Sequence, residues 1–559
     1  MRLLRYSEDI EDVIDAGHKA LQCPSEPASP ALAFINPPSI PEHVVDDADL
    51  AGWETGLHMA AGRALFKGLL HRPSNPGPRQ AHIARLAPNR ARIEKCLSMA
   101  RGLEQDVIWV LNKPTIGETW PLPFLFPQMR VINSLNRVPC FHELYHAYRL
   151  WLSPALTIAY PLLLILGPWA YVRRKLKWNL TFAQYITFAY TMLKTLRGPA
   201  ANRLWLTLAV YIAMYLYNVA QIIDMSRMVG GARSILAHRA DKIRRFMDIA
   251  NELQEMGVDA GMWGLETIQM QRPMTAMSPG FLGVWQWWGK AEVTDALQAC
   301  LHIVAAADVA ALCMRCLSRP STWSMVRPCT DWPKFYGMRH PALQRCVANP
   351  ASLARNMVIT GPNAAGKTTY CRAILANVLL AQSLGIACAR KAYVGSFMAV
   401  STFMRLRDTT GKESLFEAEV GRCVEMWAMA KKARGRILMI LDEPMHATPP
   451  TEGAAAAMAF LSGLVTLGEV RVLTTTHYAA LTDLGANADF VNVSMDAIVR
   501  PNEPIAFPYS LRAGPSFQSI ALELLQERGA FTEADGFIES AVKMKRKISN
   551  QTNKISNAP

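Results

Sequence analysis

Three short stretches hold residues whose types and spacing could do chemistry. The first is Gly361–Thr368, reading GPNAAGKT; the second is Asp442-Glu443 at the end of the apolar run Ile437–Leu441; the third is His477, after Arg471–Thr476. In the first, two glycines frame a loop of small residues before a lysine and a threonine. The loop sits between a short apolar run, Met357–Thr360, and a helical pattern that resumes at Lys367. Such a strand–loop–helix brings inward-facing backbone N–H groups to a helix N-terminus, which is what a chain of phosphates needs. Gly361, Pro362, Asn363, Ala364, Ala365, Gly366, Lys367, Thr368 and Thr369 are the expected phosphate-binding set. Within it, Lys367 supplies a point charge for β- and γ-phosphates, and Thr368 a hydroxyl for magnesium.

Asp442, at a strand tip, can hold magnesium through water, and Glu443 can polarise an attacking water as a general base. An apolar strand ending in Asp-Glu is a common pattern by itself; its position downstream of the loop makes it specific. His477 ends a third strand and is expected beside the γ-phosphate, on the sheet edge where ligands of open α/β folds collect. Lys367, Glu443 and His477 are thus the candidate catalytic residues, with Thr368 and Asp442 for the metal. Cys313 and Cys316 form one isolated C-x-x-C, better read as helix packing than as a metal site.

The elements that must position these residues belong to a long chain. Its 559 residues are 51% hydrophobic and 19% charged, so several domains with large cores are expected. A mean hydropathy of +0.08 points to buried helices or to membrane, and a net charge of +14 suits contact with nucleic acid or anionic lipid. Eleven scattered cysteines argue against a disulfide framework. The charged N-terminus shows no cleavable signal peptide. Helical patterning starts near Asp46, breaks at His71–Gly77 and resumes over Gln80–Leu111. Leu152–Val172 and Leu204–Ile223 carry no charged residue, and both are long enough to cross a bilayer. Trp, Tyr and basic residues flank them, as interfacial anchors do, and Trp178–Leu193 between them reads as a short interfacial helix. Further helices are expected over Arg233–Met256 and Ala291–Leu317, the latter with a solitary Asp308 as a buried or capping carboxylate.

In the C-terminal third the sequence resembles the ATPase domain of the MutS proteins, the DNA mismatch-recognition family within the ABC-type ATPase class. The resemblance rests on Thr360 to Tyr370, with its Asn363. It also rests on Gln382, Gly385, Ser414 to Glu419, Leu441-Asp442-Glu443 with Thr448, Thr476-His477-Tyr478, and Tyr509-Ser510-Leu511 with Gly514 and Ser519. Upstream it reaches Asp308, Arg327-Pro328 and Arg339-His340-Pro341. It implies an ATP- and magnesium-dependent ATPase acting as a homodimer, in which Ser414 of one subunit approaches the γ-phosphate held by the other. It also implies that the preceding helices form a lever-like core.

The expected architecture is therefore an α/β P-loop NTPase domain, preceded by a mostly α-helical lever-like domain with two transmembrane helices. The expected limits are an irregular segment over 1–45, helical core over 46–151, a transmembrane hairpin over 152–223, and helical core again over 224–335. The ATPase domain follows at 336–530 and a basic, disordered tail at 531–559. Three departures from the family pattern stand out: there is no N-terminal mismatch-reading domain of the Phe-x-Glu type, the segment for C-terminal dimerisation helices is short, and Pro444-Met445-His446-Ala447-Thr448 replaces a Gly-x-Gly-Thr loop. The leading expectation is a membrane-anchored, MutS-like ATPase that also binds DNA, its ATPase domain facing cytosol or nucleoplasm, with no small-molecule substrate besides ATP. The alternative is a soluble DNA mismatch repair or recombination protein acting on mismatched or branched DNA. A transporter is disfavoured because two spans cannot build a pathway, and a catalytically silent anchor because Lys367, Asp442, Glu443 and His477 are all present.

Overall fold

The computed structural model describes residues 40–71, 76–111, 139–195, 199–265, 291–404, 415–486, 489–500, 503–527, 536, 537, 539–545 and 547. Ser414 and most of the basic C-terminal tail lie outside these residues. The chain forms two compact units, one of residues 1–32, 102–251 and 268–300, the other of 33–101, 252–267 and 301–559.

The first unit is helical in every described element. Helix Glu104–Leu111 is tied to the long helix Pro199–Glu255 through Asp106, which accepts from Arg239 Nη1 at 2.9 Å and lies 3.4 Å from Lys242 Nζ. The Arg239 guanidinium also stands 4.5 Å from the centre of the Trp109 ring, so this buried charge is both paired and stacked. Helix Pro139–Ala147 continues through a π-turn, Tyr148–Leu152, into helix Ser153–Lys175, and helix Phe182–Thr195 follows. The apolar segment expected at Leu204–Ile223 and the amphipathic one at Arg233–Met256 lie in a single run of 57 residues, Pro199–Glu255.

Among the described residues three helices are long and apolar enough to cross a membrane: Glu143–Lys175, Trp205–Glu255 and Val293–Leu317. Burial separates them. The apolar window of the third is 94% buried, whereas those of the first two are 0% buried. Helix Ala291–Leu317 is rich in Ala and Leu on every face, the composition of a helix enclosed by protein. Its Cys313 and Cys316 are buried, and burial pushes the Cys316 thiol up to about 11, away from the thiolate that a metal would need. Asp308 accepts from the backbone N–H groups of His58 at 3.1 Å and Met59 at 2.8 Å, so it is both buried and a cap.

The second unit holds the strands. Six form the main sheet: β4 (Asn356–Thr360), β7 (Ala399–Phe403), β8 (Ile437–Asp442), β9 (Val470–Thr475), β10 (Phe490–Met495) and β11 (Leu511–Ala513), in the order β11-β10-β4-β9-β8-β7. All neighbours are parallel except β11 with β10. Parallel strands covered on both faces read as unbroken apolar runs, and every residue of β4 is buried. A second sheet has the order β3-β2-β6-β1-β5, from β1 (Ser324–Pro328), β2 (Lys334–Met338), β3 (Asn349–Ser352), β5 (Ile386–Ala387) and β6 (Lys391–Val394). Helix Lys367–Leu384 runs on from the main sheet with fifteen of its eighteen residues buried.

The helices of 42–100 belong to this same unit. Asp47 Oδ2 accepts from Thr402 Oγ1 at 2.6 Å on β7, and Gln80 Nε2 donates to the carbonyls of Val326 and Gly385, both at 2.7 Å. The helix expected over Gln80–Leu111 is three helices, Gly77–Leu86, Arg90–Ala100 and Glu104–Leu111. Pro88, which has no N–H, sits in the 3₁₀ turn Ala87–Asn89 at the first break.

Candidate active site

The site forms where β4, β8 and β9 end. Register pairs Ile359 with Thr475, and Asp442 with Thr475, so the segments following these strands emerge at one edge. That edge is the carboxyl side of parallel strands, where a crevice opens for ligands.

Gly361 leaves β4 at φ +139°, and a Cβ there would lie 2.0 Å from the Met495 carbonyl oxygen. Only a residue without a side chain lets β10 and the loop approach so closely. Gly366, at φ +98°, precedes helix Lys367–Leu384 as its N-cap, and no side chain caps it. The first-turn N–H groups and the positive end of the helix dipole therefore point into the loop. Lys367 is buried; its Nζ donates to the carbonyls of Gly361 at 2.9 Å and Pro362 at 3.2 Å. Burial lowers its pKa, against the pull of Glu443 and Asp442.

Thr368 Oγ1 donates to Asp442, 3.1 Å from Oδ1 and 3.0 Å from Oδ2. Thr475 Oγ1 also donates to Asp442 Oδ1, at 2.5 Å, and accepts from the Glu443 backbone N–H at 3.1 Å. Thr475 thus fixes both acids at once, a role the sequence pattern did not reveal, since it read there only as a strand residue. The Thr474-Thr475-Thr476 run at the strand end was the available signal.

His477 Nε2 lies 2.8 Å from Glu443 Oε1 and 2.9 Å from Asn363 Oδ1. The two nearer partners are acceptors, so His477 is placed to donate from Nε2 to them, while Lys367 Nζ stands 3.5 Å from the same nitrogen. That N–H is the main reason the Glu443 carboxyl is held below the usual range; burial opposes it, and the charges of His477 and Lys367 assist. Glu443 itself is in the left-handed region at φ +53°. Non-glycine residues store strain there, and such residues cluster at functional sites.

The loop that lacks the expected glycines is held from two sides. Met445 adopts φ +63°, a conformation suited to glycine, and its carbonyl accepts from Tyr478 Oη at 2.9 Å. The buried Glu419 takes His446 Nδ1 at 3.1 Å and the Ala447 N–H at 3.4 Å. Of the candidate residues, Gly361–Thr369, Asp442, Glu443 and His477 come together at this edge. Ser414 lies outside the described residues.

A cleft of about 480 Å³ opens beside the loop, between Pro362–Tyr370 and a wall of Leu343, Arg345, Val347, Met495 and Tyr509. Leu343, Arg345 and Val347 carry no signal in the sequence, because 342–348 has no strand or helix periodicity to mark it. Tyr509 is pinned by Asn349, whose Nδ2 donates to the Tyr509 carbonyl at 2.8 Å and whose Oδ1 accepts from Leu511 N at 2.8 Å. The donor set fits a magnesium–triphosphate group: a glycine cradle that a Cβ would fill, a lysine aimed into it, and a hydroxyl beside a carboxylate.

The cradle lies between a parallel strand and a buried helix, in an α/β region consistent with a MutS-like ATPase fold. Comparison with known proteins gives a distant match of the same kind. Residues 357–548 match the profile of MutS domain V. The chain is 30% identical over 249 residues to the DNA mismatch repair protein MutS of Natronomonas pharaonis, covering 43% of this chain and 28% of that protein. It is 28% identical over 221 residues to the DNA mismatch repair protein MutS of Paracoccus denitrificans, covering 36% and 25%. With Endonuclease MutS2 of Streptococcus sanguinis it shares 30% identity over 201 residues, covering 35% and 25%. The chain thus spans about a quarter of the length of these curated relatives.

Proposed function

We propose that this chain binds and hydrolyses ATP at the edge formed by β4, β8 and β9. The observation that carries the reading is the convergence of Lys367, the Thr368–Asp442 pair and the Asn363–His477–Glu443 chain around one glycine-framed loop. Gly361 to Thr369 bind the triphosphate, with Lys367 set against the β- and γ-phosphates. Thr368 and Asp442 would hold magnesium, which would supply neutralisation of phosphate charge. Glu443 takes the proton of the attacking water, and His477 orients Glu443 while facing the γ-phosphate. The wall of Leu343, Val347 and Tyr509 gives the base an apolar surface. In a homodimer, Ser414 of a second copy would complete the site.

For the partner, the names of the relatives support DNA: two are DNA mismatch repair proteins and one is an endonuclease. A net charge of +14 suits a polyanion. Action on mismatched or branched DNA is therefore the reading that the comparisons favour. Membrane anchoring through 152–223 is a second reading, supported by two helices of spanning length whose apolar windows contain no buried residue.

The test is a hydrolysis assay on the full chain and its Glu443→Gln variant. The variant should retain ATP binding and lose about 10²–10⁴-fold in rate; hydrolysis at the parent rate contradicts the assignment. Adding heteroduplex DNA should change the parent rate in a salt-dependent way if DNA is the partner, and an unchanged rate removes that reading.

A further inference from the structure

The two exposed apolar helices are separated in sequence by a stretch whose charge is all of one sign. Between Arg173 and Arg203 the sequence holds seven Lys or Arg residues and no Asp or Glu. Helix Ser153–Lys175 has 23 residues, about 34 Å at the helical rise, enough for a hydrocarbon core about 30 Å thick. Its described charges all lie in the last turn, at Arg173, Arg174 and Lys175. Along its length Leu162 is 61% exposed and Ile158 53%. The long helix Pro199–Glu255 lies beside it: Tyr215 Oη donates to the Ile158 carbonyl at 3.0 Å.

The far end is built rather than frayed. Trp169 Nε1 donates to the Leu180 carbonyl at 3.2 Å, its ring meets Phe182 edge-on at 5.6 Å, and the Arg173 guanidinium stands 5.4 Å from the same ring. Trp178, in the same turn, is 57% exposed. Indole rings and cations at the end of an apolar span are the composition of a bilayer interface. A second copy of this chain would bring the same uncompensated positive charge, so self-association through this end is disfavoured.

We propose that the basic end of helix Ser153–Lys175 and the turn after it, with Arg173, Arg174, Lys175 and Lys177, bind the headgroups of anionic phospholipids, with the apolar helices in the acyl layer. The inference rests on the membrane reading above and adds a headgroup preference to it. An anionic surface strengthens the attachment of each nearby Lys or Arg about fivefold, and salt should weaken that part. Trp169 and Phe182 hold the turn against the helix end, which keeps the basic residues at headgroup level.

The experiment is flotation of the full chain, diluted out of detergent, with vesicles of phosphatidylcholine alone or mixed with phosphatidylglycerol. The parent should float with both and at least tenfold more readily per lipid with the mixture. A variant carrying R173Q, R174Q, K175Q and K177Q should lose that preference and still float, with ATP binding unchanged as a check of folding. Equal flotation of the parent on both vesicles overturns the headgroup inference and leaves the membrane reading standing. No flotation on either, with the chain remaining soluble without detergent, overturns both; a detergent-free oligomer at the bottom of the gradient assigns the apolar helices to a second copy.

Discussion

In the proposed reaction the chemistry turns on one hydrogen bond. His477 donates from Nε2 to Glu443 at 2.8 Å, and that contact is the largest cause of the lowered Glu443 pKa. A lowered carboxyl is ionised, and so able to accept a proton, over a wider range at the acid end. The same shift stabilises the fold above the ordinary glutamate pKa and is lost as pH falls through the lowered value. Removing the donor leaves burial, which acts in the opposite direction. His477→Ala should therefore lower the hydrolysis rate and move the acid limb of its pH profile upward. A limb that stays where it is in the parent would show that Glu443 does not titrate as the base. Residue types at this scale were readable in advance because phosphate chemistry allows few alternatives to glycine, lysine and threonine at such spacing. Thr475 was not, because a hydroxyl at a strand end has no distinguishing mark until the neighbouring strand brings Asp442 beside it.

At the scale of elements, the central strand β4 and helix Lys367–Leu384 were legible because an apolar run, a Gly-rich turn and a helical pattern are all local signals. The second sheet was not. Its strands are two to five residues long, and β1 lies in a stretch rich in Pro and Trp that reads as a loop. Val293–Leu317 shows a different limit: its hydropathy resembles that of the exposed helices, and only the surrounding fold makes it a core element. That helix meets Ala60–His71 through Gly62, where an added Cβ would lie 2.3 Å from Asp308 Oδ2. In an open helix Gly→Ala stabilises by about 0.5–1 kcal/mol. Here it would push Asp308 off the N–H groups of His58 and Met59. Gly62→Ala should instead destabilise the fold by about 1–3 kcal/mol, the usual effect of overpacking. Thermal denaturation reads the sign directly, and a raised melting temperature would refute the close contact.

At the scale of the whole molecule, two physical problems share one chain. One unit presents a glycine-framed cradle on a parallel sheet; the other exposes two apolar helices that water alone would not favour. The matched region covers the first and not the second, since it begins at residue 357. Any link between nucleotide and bilayer or DNA therefore depends on the cradle being used. The most direct measurement is titration of the purified full chain with magnesium-ATP by calorimetry, beside the Lys367→Ala variant. The account predicts saturable binding by the parent and a loss of at least tenfold in affinity for the variant, the order expected when a buried charge–phosphate contact is removed. Equal affinity in the two proteins, or no uptake by the folded parent, would contradict it.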